Sequence, residues 1–133
     1  MLYKIIISIV GFFIKLWFKV DVIGKENLYP KTDKPIMYIA NHVSWLDALF
    51  MSVILPKDVP FVVFSGTMNT WWAKLLLTFG PTPISVDSAS PYAVKTMVKV
   101  LTDPNGPRKI AIYPEGRLST TGGMMKIQSG AGM

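Results

Sequence analysis

Lys34 to Leu55 reads KPIMYIANHVSWLDALFMSVIL, and its change of period decides the fold. KPIMYIANH is a compact apolar run too short for a helix, which predicts a buried strand ending at Asn41. SWLDALFMSVIL then spaces its apolar residues as a helix does, with Ser44 as the expected N-cap and Pro56 as the stop. A strand that runs straight into a helix is the opening of an α/β unit.

The pattern repeats in both directions. Upstream, VDVIGKENLYP (residues 20–30) alternates and then meets Gly and Pro, predicting a short strand and a turn. Downstream, VPFVVFSG predicts a strand, and MNTWWAKLLLTFG a helix stopped by Gly80. PTPISVDS is extended because its two prolines fix φ. PYAVKTMVKVL is a helix opened by Pro91 and closed by Asp103-Pro104-Asn105-Gly106, and RKIAIYPEG is a last strand running into a loop. Strands alternating with helices imply the α/β class: a mainly parallel sheet flanked by helices, with no internal repeat and no linker.

Composition narrows the chemistry. The 133 residues hold no cysteine and one histidine, so disulfides and cysteine nucleophiles are excluded. A zinc or iron site would have to rely on carboxylates, so no metal and no cofactor is expected. Half the residues are hydrophobic and the net charge is +6, with four tryptophans and seven phenylalanines. That combination suits an anionic membrane surface. The lysines are scattered rather than gathered in one stripe with exposed aromatics, which speaks against nucleic acid.

Residues 1–20 carry the membrane signal. The longest uncharged run, Ile5 to Ile14, is ten residues, against roughly 20 needed to span a bilayer. On a helical wheel Lys4, Ser8, Gly11, Lys15 and Lys19 fall within about 80°, leaving a wide face of Ile, Val, Phe, Leu and Trp. Such a helix lies in a membrane interface with its lysines reaching lipid phosphates. A buried helix with outward lysines fits the same pattern, and so does a tilted span. The expected organisation is an amphipathic membrane helix at 1–20 and one domain at 21–133. The Gly- and Ser-rich tail TTGGMMKIQSGAGM closes with no final element, so the domain is expected to be a truncated piece, incomplete at its C-terminus.

Two clusters carry candidate chemistry. His42, at the carboxyl end of a strand, stands where open α/β sheets place ligands. Asp47, expected about one turn into the next helix, is within reach to hold one imidazole nitrogen and leave the other as a base. A strand-end histidine beside a first-turn carboxylate favoured by the helix dipole also fits the pair. The second cluster is IAIYPEGRLSTTG (residues 110–122). There Arg117 offers a planar fork for a phosphate or carboxylate, Gly116 permits close approach, and Ser119, Thr120 and Thr121 add hydroxyls. A surface turn with a Glu–Arg pair is the alternative. No Gly-rich phosphate loop with a lysine is present, so nucleotide binding is unsupported.

NHVSWLD and YPEGRLS, about 70 residues apart, together resemble the first and third blocks of the glycerophospholipid acyltransferase family, whose pattern is His, four residues, Asp, and later Pro-Glu-Gly. The resemblance covers nearly the whole chain. YPEGRLSTTGGMMKIQSGAG further resembles the acyltransferase domain of the bifunctional 2-acylglycerophosphoethanolamine acyltransferase/acyl-carrier-protein synthetases. Most of the family reads Glu-Gly-Thr-Arg, whereas here Arg117 follows Gly116 directly, which favours lysophospholipid recycling over acylation of lysophosphatidic acid.

The resemblance implies transfer of an acyl chain from an acyl-carrier-protein or coenzyme A thioester to a lysophospholipid; the alternative of another class, which the amphipathic N-terminus and the basic charge also fit, is a non-catalytic membrane- or lipid-binding module. His42 is implied as general base and Asp47 as its orienting carboxylate. Glu115, Gly116 and Arg117 are implied as binders of the acceptor's glycerol phosphate, with Asn41, Ser44 and Ser119 in support. It also implies a peripheral or monotopic place on the cytoplasmic face of a bacterial inner membrane, and a fused acyl-carrier-protein synthetase domain beyond the chain end. The segment Thr82 to Asp87 corresponds to the family's second block. Ser88 stands there in place of the usual arginine, which removes one expected phosphate contact. The helix Trp71 to Phe79 lines the acyl path, sits in lipid, or is ordinary core.

Overall fold

The structure is a computed structural model that describes residues 2–71, 83–87, 90 and 92–129. In chain order these form α1 (Leu2–Phe18), a 3-10 turn (Lys25–Leu28), β1 (Ile36–Ile39), α2 (Asp47–Ile54), β2 (Val62–Phe64), α3 (Ser65–Met68), β3 (Ile84–Val86), α4 (Tyr92–Thr102) and β4 (Lys109–Ile112).

The sheet is parallel and its order departs from the sequence. β1 pairs with β4 in register Ile36–Lys109 to Ile39–Ile112, and β2 pairs with β3 from Val62–Ile84 to Phe64–Val86. A parallel bridge between Phe61 and Ala111 joins the two pairs, supported by the Ala111 amide donating to the Pro60 carbonyl at 2.9 Å. The order across is therefore β1–β4–β2–β3. β4 is central, and its residues alternate between two cores. Ile110 and Ile112 meet Ile84 and the α4 residues Met97, Val100 and Leu101 on one face. Ala111 meets Leu55, Val59 and the α2 residue Met51 on the other. Ile110 is 0% exposed, and burial of an isoleucine contributes about 1.5–3 kcal/mol. Helices thus cover both faces, as a parallel sheet requires.

α1 is rich in β-branched residues that gain little from helix propensity, so packing must hold it. Ile7, Gly11 and Ile14 are buried along one stripe against α2. A Cβ on Gly11 would stand 3.0 Å from Val53 Cγ1, so the missing side chain sets how closely the helices approach. Phe18 meets Phe50 edge-on at 5.2 Å and 85°. Because residues 11 and 18 of α1 face 53 and 50 of α2, the helices run antiparallel. None of the described helices is long and apolar enough to cross a membrane.

Three local expectations are corrected. The strand expected at 20–24 does not form: Lys19 has φ 47°, and Ile23 is 93% exposed with no neighbouring strand. The 3-10 turn covers the edge strand there instead, with Tyr38 Oη donating to the Leu28 carbonyl at 2.7 Å. Ser44 does not cap α2, whose N-cap is Leu46. Asp47 is the first residue of α2 rather than one turn inside it. Pro56 does coincide with the end of α2: Leu55 turns to ψ 159°, since the residue before a proline leaves the helical region. Of the helix expected at 68–80, residues 72–80 lie outside the described residues, as do Pro91, Thr82 and Ser88.

Candidate active site

Parallel pairing of β1 and β4 brings their carboxyl ends side by side, and the loops leaving them meet although far apart in sequence. The Ala40 amide still donates to the Ile112 carbonyl at 3.2 Å. Beyond it the two loops exchange contacts through His42. The His42 amide donates to Glu115 Oε1 at 3.1 Å, and the His42 carbonyl accepts from the Ser119 amide at 2.7 Å. The backbone of the histidine is held from both sides by the second loop.

Its side chain is held from its own loop. Asp47 Oδ2 accepts from His42 Nδ1 at 3.0 Å, from the Val43 amide at 2.7 Å and from the Ser44 amide at 2.8 Å. Partial burial pushes this carboxyl up. The hydrogen bonds from His42 and from the Ser44 and Val43 amides outweigh that and hold it below the usual aspartate value. Asp47 is then ionised at neutral pH and can only accept, so Nδ1 carries the proton. Nε2 is the nitrogen left with a lone pair, on a side chain 19% exposed. The arrangement suits general base catalysis.

The sequence reading did not single out Tyr113. Its ring stacks on the His42 imidazole with centroids 4.2 Å apart and planes 18° from parallel. Burial first, and then the charge of Asp47, push its phenol well above the usual tyrosine value. The signal was available in the strand register: continuing the β1–β4 pairing sets Ala40 opposite Tyr113, and His42, two residues on, returns to the same face.

Glu115 is 1% exposed. Its Oε1 is committed to His42, and Oε2 has no hydrogen-bond partner among the described residues. Gln128 straps the loop from outside, its amide on the Pro114 carbonyl at 2.9 Å and its Nε2 on the Glu115 carbonyl at 3.4 Å. Gly116 closes the turn with φ +68° and donates to the Tyr113 carbonyl at 3.1 Å. Arg117 is exposed and, with Lys126, Ile127, Gln128 and Ser129, lines a cavity of about 270 Å³. Ser119 Oγ donates to the Gly123 carbonyl at 2.6 Å. Ser44 Oγ accepts from the Leu46 amide at 3.1 Å, so it secures the turn before α2. Asn41 is exposed. Among the described residues no three His, Asp or Glu side chains gather as metal ligands.

Comparison with known proteins gives the family. The chain is 33% identical over 121 residues to a 1-acyl-sn-glycerol-3-phosphate acyltransferase of Chlamydomonas reinhardtii, covering 86% of this chain and 34% of that protein. It is 26% identical over 131 residues to the chloroplastic 1-acyl-sn-glycerol-3-phosphate acyltransferase LPAT1 of Arabidopsis thaliana, covering 90% and 35%. The chain thus spans about a third of the length of the curated relatives it matches. No solved structure matches significantly. The family model described as Acyltransferase matches residues 19–133, which takes in both strand-end loops, and the chain belongs to the acyltransferase family.

Proposed function

We propose that this domain transfers a fatty acyl chain from a thioester to the free hydroxyl of a lysophospholipid. The observation that carries the reading is the His42–Asp47 contact at 3.0 Å, with the carboxylate held ionised and Nε2 left free of it. In this mechanism Nε2 takes the proton of the acceptor's glycerol hydroxyl as that oxygen attacks the thioester carbonyl. The new C–O bond forms, the C–S bond breaks, and the imidazolium returns the proton to the departing thiolate. Asp47 steadies the imidazolium throughout. No covalent enzyme intermediate is required.

Arg117, exposed beside Lys126, binds the acceptor's phosphate, and Gly116 lets the backbone turn tightly there. Glu115 serves that site indirectly: a carboxylate this deeply buried and already bonded to His42 fastens the loop rather than meeting an anion. Ser119 ties the same loop to the His42 carbonyl.

The direct Gly116–Arg117 junction supports lysophosphatidylethanolamine as acceptor, with acyl carrier protein or coenzyme A as donor carrier. The activity for which both relatives are named supports a second reading, acylation of 1-acylglycerol 3-phosphate. α1 supports attachment to the cytoplasmic face of a bacterial inner membrane. Ile5, Ile9, Phe12, Phe13, Leu16 and Trp17 are exposed on its side away from α2, Trp17 by 83%. An anionic surface also suits the +6 charge. The antiparallel packing sets the Trp17 end of α1 beside the end of α2 from which Asp47 reaches His42.

The test is an acyl-transfer assay in liposomes. Both thioesters are offered with lysophosphatidylethanolamine, lysophosphatidylglycerol or lysophosphatidic acid, for wild type and His42→Ala. Transfer that vanishes in His42→Ala is expected, and the preferred acceptor decides between the two readings. Equal transfer by both proteins would overturn the mechanism.

A further inference from the structure

A single hydrogen bond leaves an aromatic ring free to swing. Asp47 fixes one point of the His42 imidazole, Nδ1, and the ring can still rotate about the line between them. A base needs its lone pair aimed, because proton transfer requires alignment as well as contact. The second constraint must come from a group that fixes the plane of the ring. Tyr113 has that geometry: the two ring centroids lie 4.2 Å apart and the planes are 18° from parallel, as in a stacked aromatic pair.

We propose that Tyr113 is a positioning residue for the general base, the flat wall that fixes the plane of His42 and so the direction of its Nε2. The face of the ring carries this role and the hydroxyl does not. Tyr113 Oη is buried with no hydrogen-bond partner among the described residues. A phenol held protonated by burial and by the Asp47 charge supplies no acid or base of its own. The wall is itself fixed. Tyr113 follows directly on Ile112, which is 5% exposed at the end of the central strand, and its carbonyl accepts from Gly116. The backbone that carries the wall is therefore held at the carboxyl end of β4.

The kinetic part of this proposal rests on the acyl-transfer reading, and the spectroscopic part does not. The chain has one histidine, so its imidazole gives a single unambiguous set of NMR signals. Wild type, Tyr113→Phe and Tyr113→Leu, each 15N-labelled in detergent micelles, are compared by long-range 1H–15N spectra and by steady-state transfer to a lysophospholipid. Ring current from a stacked aromatic moves the carbon-bound imidazole protons upfield. That shift is expected in wild type and Tyr113→Phe, and its loss is expected in Tyr113→Leu. The kcat of Tyr113→Leu is expected to fall roughly 3- to 10-fold, as loss of a stacked pair implies. The acceptor KM should stay within about twofold, since a lone-pair direction matters in the transition state alone. Tyr113→Phe should retain both rate and shift.

Imidazole signals at free-histidine positions in wild type would overturn the proposal without any variant, which covers the case of a Leu variant that does not fold. A Phe variant as impaired as the Leu variant would overturn it too. If His42→Ala abolishes transfer while Tyr113→Leu keeps full rate, this proposal alone fails. If His42→Ala keeps full rate, the acyl-transfer reading fails, and the imidazole shifts still decide whether the wall exists.

Discussion

Replacing Asp47 by asparagine removes one charge and preserves most of the shape. In the native loop a single oxygen, Oδ2, accepts from Nδ1 of His42 and from two backbone amides. An asparagine can place its carbonyl oxygen there, so the Val43 and Ser44 amides keep an acceptor and the loop is expected to hold. What is lost is the attraction between the carboxylate and the imidazolium that forms during proton transfer. At 3.0 Å that attraction is about 1.4 kcal/mol at the dielectric of water and about 5.5 kcal/mol at an effective value of 20. The two side chains are 19% and 16% exposed, which places the site between those limits. About 3 kcal/mol corresponds to a roughly 100-fold fall in kcat. The assay is steady-state acyl transfer at saturating acceptor, with circular dichroism melting of both proteins alongside. The expected result is a kcat roughly 100-fold lower in a variant that still melts cooperatively, with a melting temperature at pH 7 lowered only by loss of the stability that the Asp47 charge contributes. A kcat within about threefold of wild type in a folded variant would refute the charge argument.

Other perturbations test the frame around this pair. Gly116→Ala places a Cβ on a residue at φ +68° and should destabilise by about 1–2 kcal/mol. Gln128 Cγ would stand 3.6 Å away, so the effect comes from backbone conformation, and an unchanged melting temperature would contradict it. Glu115→Ala strips the acceptor from the His42 amide and is expected to cost about 1–3 kcal/mol with loss of transfer; a stable, fully active variant would dismiss the fastening role. The depressed Asp47 carboxyl contributes stability that is present above its ordinary value of 3.8 and lost as pH falls through its lower folded value. Melting temperature should therefore drop more steeply below about pH 4 in wild type than in Asp47→Asn, and parallel curves would refute the linkage. Leu16→Asp and Trp17→Asp put charge on the exposed face of α1, and sedimentation with anionic vesicles should weaken markedly. Unchanged sedimentation would remove α1 from the membrane contact.

Local signals made part of this molecule legible. The runs at Ile36–Ile39, Val62–Phe64, Ile84–Val86 and Lys109–Ile112 are apolar, short and bounded by proline, glycine or charge, and each is a strand. Strand order was not legible, because β4 joins β1 on one side through residues 73 positions apart and β2 on the other through residues 50 apart. Val20–Gly24 misled because alternation specifies a face but not a partner, and no strand lies beside it. Ser44 misled for a related reason. A serine before a helical run has the chemistry of a cap, but the backbone makes one further turn before Asp47, and the serine closes that turn instead. The spacing of His42 and Asp47 pointed to a contact because both belong to one strand-to-helix junction. The stack with Tyr113 crosses two strands and became visible only with their register.

The tie between the His42 amide and Glu115 spans 73 positions of the chain. Closing a loop of that length costs about 4 kcal/mol in chain entropy before any contact repays it. The histidine therefore acquires its geometry late, after the central strand has entered the sheet. Residues 1–100 already carry His42, Asp47 and the apolar helix α1, but not Glu115 or Ser119, which brace the histidine backbone. His42 and Asp47 thus precede in the chain the strand that braces them, and the base is aligned only once β4 has entered the sheet.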